Sequence, residues 1–162
     1  MKVRPASTHD TAAITAAYIE SWRAGYQGLL TDAEIEIEAR QRSGYDWHAA
    51  IADSDRVVLV AENDDEIIGV AECEHNPRAS RLPELEMLYV VPSAWGTGAA
   101  SALLEAALVA VHRAGHRTVW LRVVEAQARA RRFYEREGWQ LDEQKAPDSN
   151  GLYRLLHYRR DL

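Results

Sequence analysis

Apolar positions along this chain change period twice. In "THDTAAITAAYIESWRAGY" they fall every fourth residue, placing Ile14, Tyr18, Trp22 and Tyr26 along one side of a helix that Gly25 and Gly28 close. Thr31 and Glu34 have the spacing of a capping box and open a second helical stretch, "AEIEIEARQRSGYDWHAAI", broken near Gly44. From Arg56 the period shortens, and "RVVLVAE", the acidic turn "NDDE" and "IIGVAECE" predict a β-hairpin. "VRP", residues 3 to 5, predicts a short strand, and "ELEMLYVV" another beyond a loop around Asn76, Pro77 and Pro83.

The helical period then returns. Ala100, Leu103, Leu104, Ala107, Leu108 and Val111 form one apolar stripe of a helix that ends near Gly115. "TVWLRVVE" predicts a fully apolar strand of the buried parallel kind, and "ARARRFYERE" a helix stopped by Gly138. "WQLDEQ" and "LYRLLHYRR", joined across "APDSNG", predict a closing antiparallel hairpin. The order predicts a mixed sheet with helices on both faces, in one domain over residues 1–162.

Composition narrows the function classes. Hydrophobic residues make up 47% and charged residues 27% of the chain, the usage of an ordinary globular domain rather than a disordered one. A formal net charge of -6 argues against nucleic acid as the partner, since that affinity comes from lysines and arginines neutralising phosphates. Arg129, Arg131, Arg132 and Arg136 read as a solvated helix face. Cys73 stands alone, which excludes an intramolecular disulfide and a thiolate metal site, and the six histidines lack ligand spacing, so no metal is expected. "MKVRPASTHD" has neither the basic start nor the apolar run of a signal peptide, and no stretch reaches membrane-spanning length. A cytoplasmic protein with no membrane partner is the expectation.

Residues 90–108, "VVPSAWGTGAASALLEAAL", carry a strand through a bare turn into a helix. Such a junction is an anion site, because the first helical N–H groups lack internal acceptors and the helix dipole favours negative charge. Gly96 and Gly98 allow close backbone approach, and Ala100 is small enough to extend it. The dinucleotide fingerprint fails at Ser101, where a third glycine is due, and the P-loop ending Gly-Lys-Ser/Thr is absent. Glu84, Glu86, Leu88 and Val90 alternate along the preceding strand, which predicts one shared face.

Pro92 with "AWGTGAASALL", and later "LRVVEAQARARRFYEREGW", together resemble the GNAT superfamily of N-acetyltransferases. The first segment is similar to its pyrophosphate motif, Gln/Arg-x-x-Gly-x-Gly/Ala, at Gly98 and Ala100. The second is similar to its "FYE" helix at Phe133, Tyr134, Glu135, Gly138 and Trp139. The resemblance spans essentially the whole chain, "SWRAGYQGLL" included.

It implies a mainly antiparallel seven-stranded sheet, helices on both faces and splayed parallel central strands. It also implies acetyl-CoA as co-substrate and an acetyl transfer to a primary amine of a small molecule. Leu88 and Val90 would contact the pantetheine arm by their backbones; Gly96, Thr97, Gly98, Ala99, Ala100 and Ser101 would hold the pyrophosphate; Gln127 stands where an Asn usually touches the cofactor. Tyr134 is implied as general acid, Glu84 as first and Glu86 as second candidate base, and Tyr18, Trp22 and Tyr26 as substrate-pocket walls or core. Arg122, where some relatives carry the base, cannot be deprotonated. Trp95 departs from the family's Gln or Arg. A protein N-terminus or lysine as acceptor, or a non-catalytic acyl-CoA sensor, are the alternatives, and exposed C-terminal edge strands suit a homodimer.

Overall fold

Alternating side chains of β2 (Arg56–Asn63) and β3 (Glu66–Glu74) feed two cores, one on each face of the sheet. In the computed structural model, which describes residues 1–75, 82–149 and 151–162, these strands form the predicted hairpin. Its turn rests on Asp64 and Asp65 at φ 49° and 66°, the left-handed region that a tight hairpin turn requires. Asn76 and Pro77 of the anticipated loop lie outside the described residues.

The sheet runs in the order β1-β2-β3-β4-β5-β8-β6, with β7 also on β8. Its further strands are β1 (Lys2–Pro5), β4 (Glu84–Val90), β5 (Thr118–Val124), β6 (Gln140–Leu141), β7 (Asp148–Ser149) and β8 (Arg154–Asp161). Only β4 and β5 run parallel. The described residues thus hold eight strands rather than seven, the extra one being the two-residue β7 within the "APDSNG" connection. β5 also corrects the expectation of a fully apolar strand: Val119, Leu121 and Val123 are buried, while Arg122 projects outward on the other face.

Three helices, α1 (Thr11–Tyr26), α2 (Asp32–Arg42) and α3 (Trp47–Ala52), cover one face. The capping box forms as spaced: Glu34 N–H donates to Thr31 Oγ1, and Thr31 N–H to the Glu34 carboxylate at 2.8 Å. Ile14, Tyr18 and Trp22 pack there against Val58, Val60 and Val70. On the opposite face α4 (Ala99–Arg113) lays Leu103, Leu104, Ala107 and Val111 on Leu59, Ala71 and Leu121. A short α5 (Ala128–Arg136) follows β5. No helix among the described residues is long and apolar enough to cross a membrane.

The register of β3 on β4 shifts by one between Glu72↔Met87 and Cys73↔Leu85, leaving Glu86 as an extra residue. Such a bulge bends its strand and raises its twist. It also reverses the alternation: Leu85, Leu88 and Val90 face the α4 core, whereas Met87 and Tyr89 face the α1 core. Glu84, Glu86, Leu88 and Val90 therefore do not share a face as expected. Glu86 instead turns to Arg56 at 3.1 Å, on the side where Glu72 lies wholly buried. Glu72 is held there by an ion pair with Arg56 and by the Tyr45 hydroxyl, which donates to it at 2.8 Å.

A buried carboxylate deprived of its cation is left desolvated without compensation. Arg56→Ala is expected to lower unfolding stability by about 3 kcal/mol, read as a fall in the urea midpoint at constant slope. An unchanged midpoint would mean that the network at the bulge does not hold this part of the sheet.

Candidate active site

Beyond the bulge β4 and β5 separate. They pair only at Glu84↔Trp120 and Leu85↔Leu121, so the rest of each strand faces a gap. Val91 donates its N–H to Ile68 O at 2.9 Å, toward β3, so the backbone groups of Leu88 and Val90 turn the other way, into that gap. Backbone groups in such a place call for partners. The gap opens into a cleft of about 840 Å³ that Leu88, Val90, Gly96, Gly98, Gln127 and Tyr134 help to line.

The bare turn forms one end of the cleft. Residues Pro92–Ala94 make a single 3-10 turn, after which Gly96 and Gly98 adopt φ 79° and 90°. Gly98 caps α4, whose first internal bond is Ala102 N–H to Gly98 O at 3.0 Å. The N–H groups of Ala99, Ala100 and Ser101 hence have no acceptor within the helix. A Cβ built on Gly96 or Gly98 would meet nothing within 4 Å, so the loop presents naked backbone to open space. That surface fits a phosphate group. Thr97 uses its hydroxyl on Ala94 O at 2.7 Å, and Ser101 uses its own on Glu137 at 2.8 Å, tying α4 to the end of α5. Gln127, at the start of α5, donates to Gly25 O at 3.3 Å while lining the cleft.

Tyr134 stands in the cleft wall, its ring edge-on to Phe133 and Trp139 at 5.3 and 5.9 Å. Burial, with Cys73 and Tyr26 adding, pushes its hydroxyl well above the usual phenol range, so it keeps its proton even in alkaline solution. Glu84 lines a separate cavity of about 230 Å³ with Arg122, Asp148 and His157. Arg122 Nε donates to its carboxylate at 2.7 Å. Glu86 lines neither cavity; burial raises its pKa, with Arg56 opposing and Glu72 reinforcing the shift.

Of the three aromatic residues on α1, only Tyr26 reaches the cleft. Trp22 is 0% exposed and stacks on Tyr26 at 4.5 Å, and Tyr18 is buried, accepting a hydrogen bond from Arg42 at 3.1 Å. Arg129, Arg132 and Arg136 are exposed, as a solvated helix face predicts, and they also line the cleft. Their spacing, which puts all three on one side of a helix, was the available signal. Trp95 is also a cleft residue: its indole N–H donates to Val90 O at 2.7 Å, and the Arg129 guanidinium lies 3.6 Å from its ring centre.

Comparison with known proteins agrees with this geometry. The model of the acetyltransferase (GNAT) family matches residues 14–139. An uncharacterized N-acetyltransferase of Mycobacterium tuberculosis is 36% identical over 92 residues, a stretch spanning 57% of this chain and 58% of that protein. YhfO of Bacillus subtilis, also an uncharacterized N-acetyltransferase, is 30% identical over 147 residues, 88% of this chain and 91% of that one. Among solved structures, the PaiA N-acetyltransferase of Thermoplasma acidophilum in complex with coenzyme A superposes with a TM-score of 0.81 at 22% identity, covering 96% of each chain. The fold of that structure, the extent of the family match and the likeness to YhfO lead to one conclusion: this chain belongs to the GNAT acetyltransferase family.

Proposed function

We propose that this protein transfers an acetyl group from acetyl-CoA to the primary amine of a small molecule. The observation that carries the reading is the meeting, in one cleft, of an open strand edge at Leu88 and Val90 with the naked helix N-terminus at Gly98. An elongated ligand with amides along its arm and phosphates at its end suits both features. The coenzyme A complex of the Thermoplasma neighbour supports the same choice.

Each part of the chain then has a task. The amides of residues 96–101 would hold the pyrophosphate, and the open backbone groups of Leu88 would hold the pantetheine arm, which leaves the Val90 N–H for the thioester end. Val90 C=O is already engaged by Trp95. When bound, acetyl-CoA supplies the activated thioester. The exchange forms a C–N bond and breaks a C–S bond, while one proton leaves nitrogen and one reaches sulfur. Tyr134, protonated and in the cleft wall, delivers the proton to sulfur. The Val90 N–H polarises the carbonyl oxygen.

Glu84 accepts the proton of the amine. It lines the small cavity beside the point where β4 and β5 part, and Arg122 fixes its carboxylate. The bulge lies between Glu84 and Leu88, and a water between them would carry the proton to the carboxylate. A cavity of about 230 Å³ suits a small amine better than a peptide. Glu86, committed to Arg56 at the bulge, positions the strand rather than the proton.

Two substitutions test these assignments. Tyr134→Phe is expected to lower kcat by roughly 10²-fold or more while acetyl-CoA binding, followed by calorimetry, stays near the wild-type value. Because the Tyr134 proton is held above the phenol range, wild-type kcat should show no fall from this group up to about pH 10. Glu84→Gln is expected to flatten the acidic limb of the pH–kcat profile and to lose roughly 10²-fold above it, where the wild-type base is ionised. A profile identical to wild type would remove Glu84 from the mechanism.

A further inference from the structure

The anion-binding turn carries no cationic side chain of its own, since residues 92–101 read "PSAWGTGAAS". Amide dipoles alone would therefore face a pyrophosphate bearing two negative charges. The cations that line the cleft, Arg129, Arg132 and Arg136, come from across the gap, on α5. Of these, Arg129 is held in a particular way. Its guanidinium lies 3.6 Å from the Trp95 ring centre, and that indole is anchored by its N–H on Val90 O at 2.7 Å. Among the described residues, no carboxylate pairs with Arg129.

Stacking covers one face of a guanidinium and leaves the N–H groups at its edge free to donate in the plane. Loss of the indole would release a long, flexible arm to solvent. Trp95 belongs to the wall that follows β4, and Arg129 to the wall that follows β5, so the contact spans the mouth of the cleft. A bulky aromatic at position 95 thus does not strip the site of polarity. It sets a cation from the facing wall beside the turn.

We propose that Arg129, held against Trp95, supplies the positive charge that the glycine turn lacks and binds the pyrophosphate of the acetyl donor. The inference rests on the acetyl-CoA reading above. Arg129 is a binding residue in it, and Trp95 a positioning residue.

Calorimetric titration of the purified protein, at several salt concentrations, separates the possibilities. Arg129→Ala should weaken acetyl-CoA binding by about 10-fold or more and flatten the dependence of affinity on salt. Arg129→Lys should recover part of the loss, and Trp95→Ala should cost less than Arg129→Ala. Trp95→Arg, placed in the Arg129→Ala background, should restore affinity by moving the charge onto the turn. S-acetylpantetheine, which lacks the pyrophosphate, should show the same KM with wild type and Arg129→Ala. Equal loss toward both donors would make the pair a packing element and overturn the proposal. Wild-type acetyl-CoA affinity in Arg129→Ala would overturn it alone, whereas a wild type that does not bind acetyl-CoA would overturn the proposed function as well.

Discussion

One extra residue in a strand governs the rest of this molecule. Glu86 is inserted between two registers of β4 on β3, and parallel pairing with β5 stops at Leu85↔Leu121, just before it. A regular β4 would continue its ladder with β5 and satisfy the backbone of Leu88 and Val90 within the sheet. The bend replaces that ladder with a cleft into which the main-chain groups of Leu88 and Val90 open. Because α4 and α5 start from the far ends of the two diverging strands, both helix N-termini are brought to its mouth. The bulge itself is secured from below, where buried Glu72 is paired with Arg56 and Arg56 also reaches Glu86.

Charge is distributed to match this division. The chain as a whole carries -6, yet the large cleft is lined by open amides and by Arg129, Arg132 and Arg136. The smaller cavity is mixed in charge, with the carboxylates of Glu84 and Asp148 beside Arg122, Lys145 and His157. A net charge thus misstates the preference of an individual site. Tyr134 lies in the wall of the large cleft among its ring neighbours, and burial raises the pKa of a hydroxyl that is already protonated at neutral pH.

Much of the fold was legible because local rules and tertiary packing agree. The four-residue spacing from Ile14 to Tyr26 gave a helix whose marked side is the buried one, and the Thr31–Glu34 box formed as spaced. Gly96 and Gly98 pointed to a bare turn opening a helix, because positive φ and an open helix start have a recognisable composition. The bulge had no such mark: nothing in "ELEMLYVV" distinguishes an inserted residue from a paired one, so the predicted common face for Glu84, Glu86, Leu88 and Val90 failed at Glu86. Arg129, Arg132 and Arg136 of α5 are exposed, as a charge run usually is, and only the position of α5 shows that this solvated face also borders the cleft. Trp22 illustrates the converse, an aromatic at helical spacing that is core while its neighbour Tyr26 reaches the site.

On this proposal the parted strand edge and the glycine turn together form the acetyl-CoA site. Amide hydrogen exchange at single-residue resolution, with and without saturating acetyl-CoA, tests it most directly. Ligand should slow exchange at Leu88 and Val90 and across residues 96–101, where main-chain N–H groups gain acceptors, while the paired interior of β2 and β3 changes little. Binding that leaves the amides of Leu88, Val90 and Gly98 exchanging as before would contradict it.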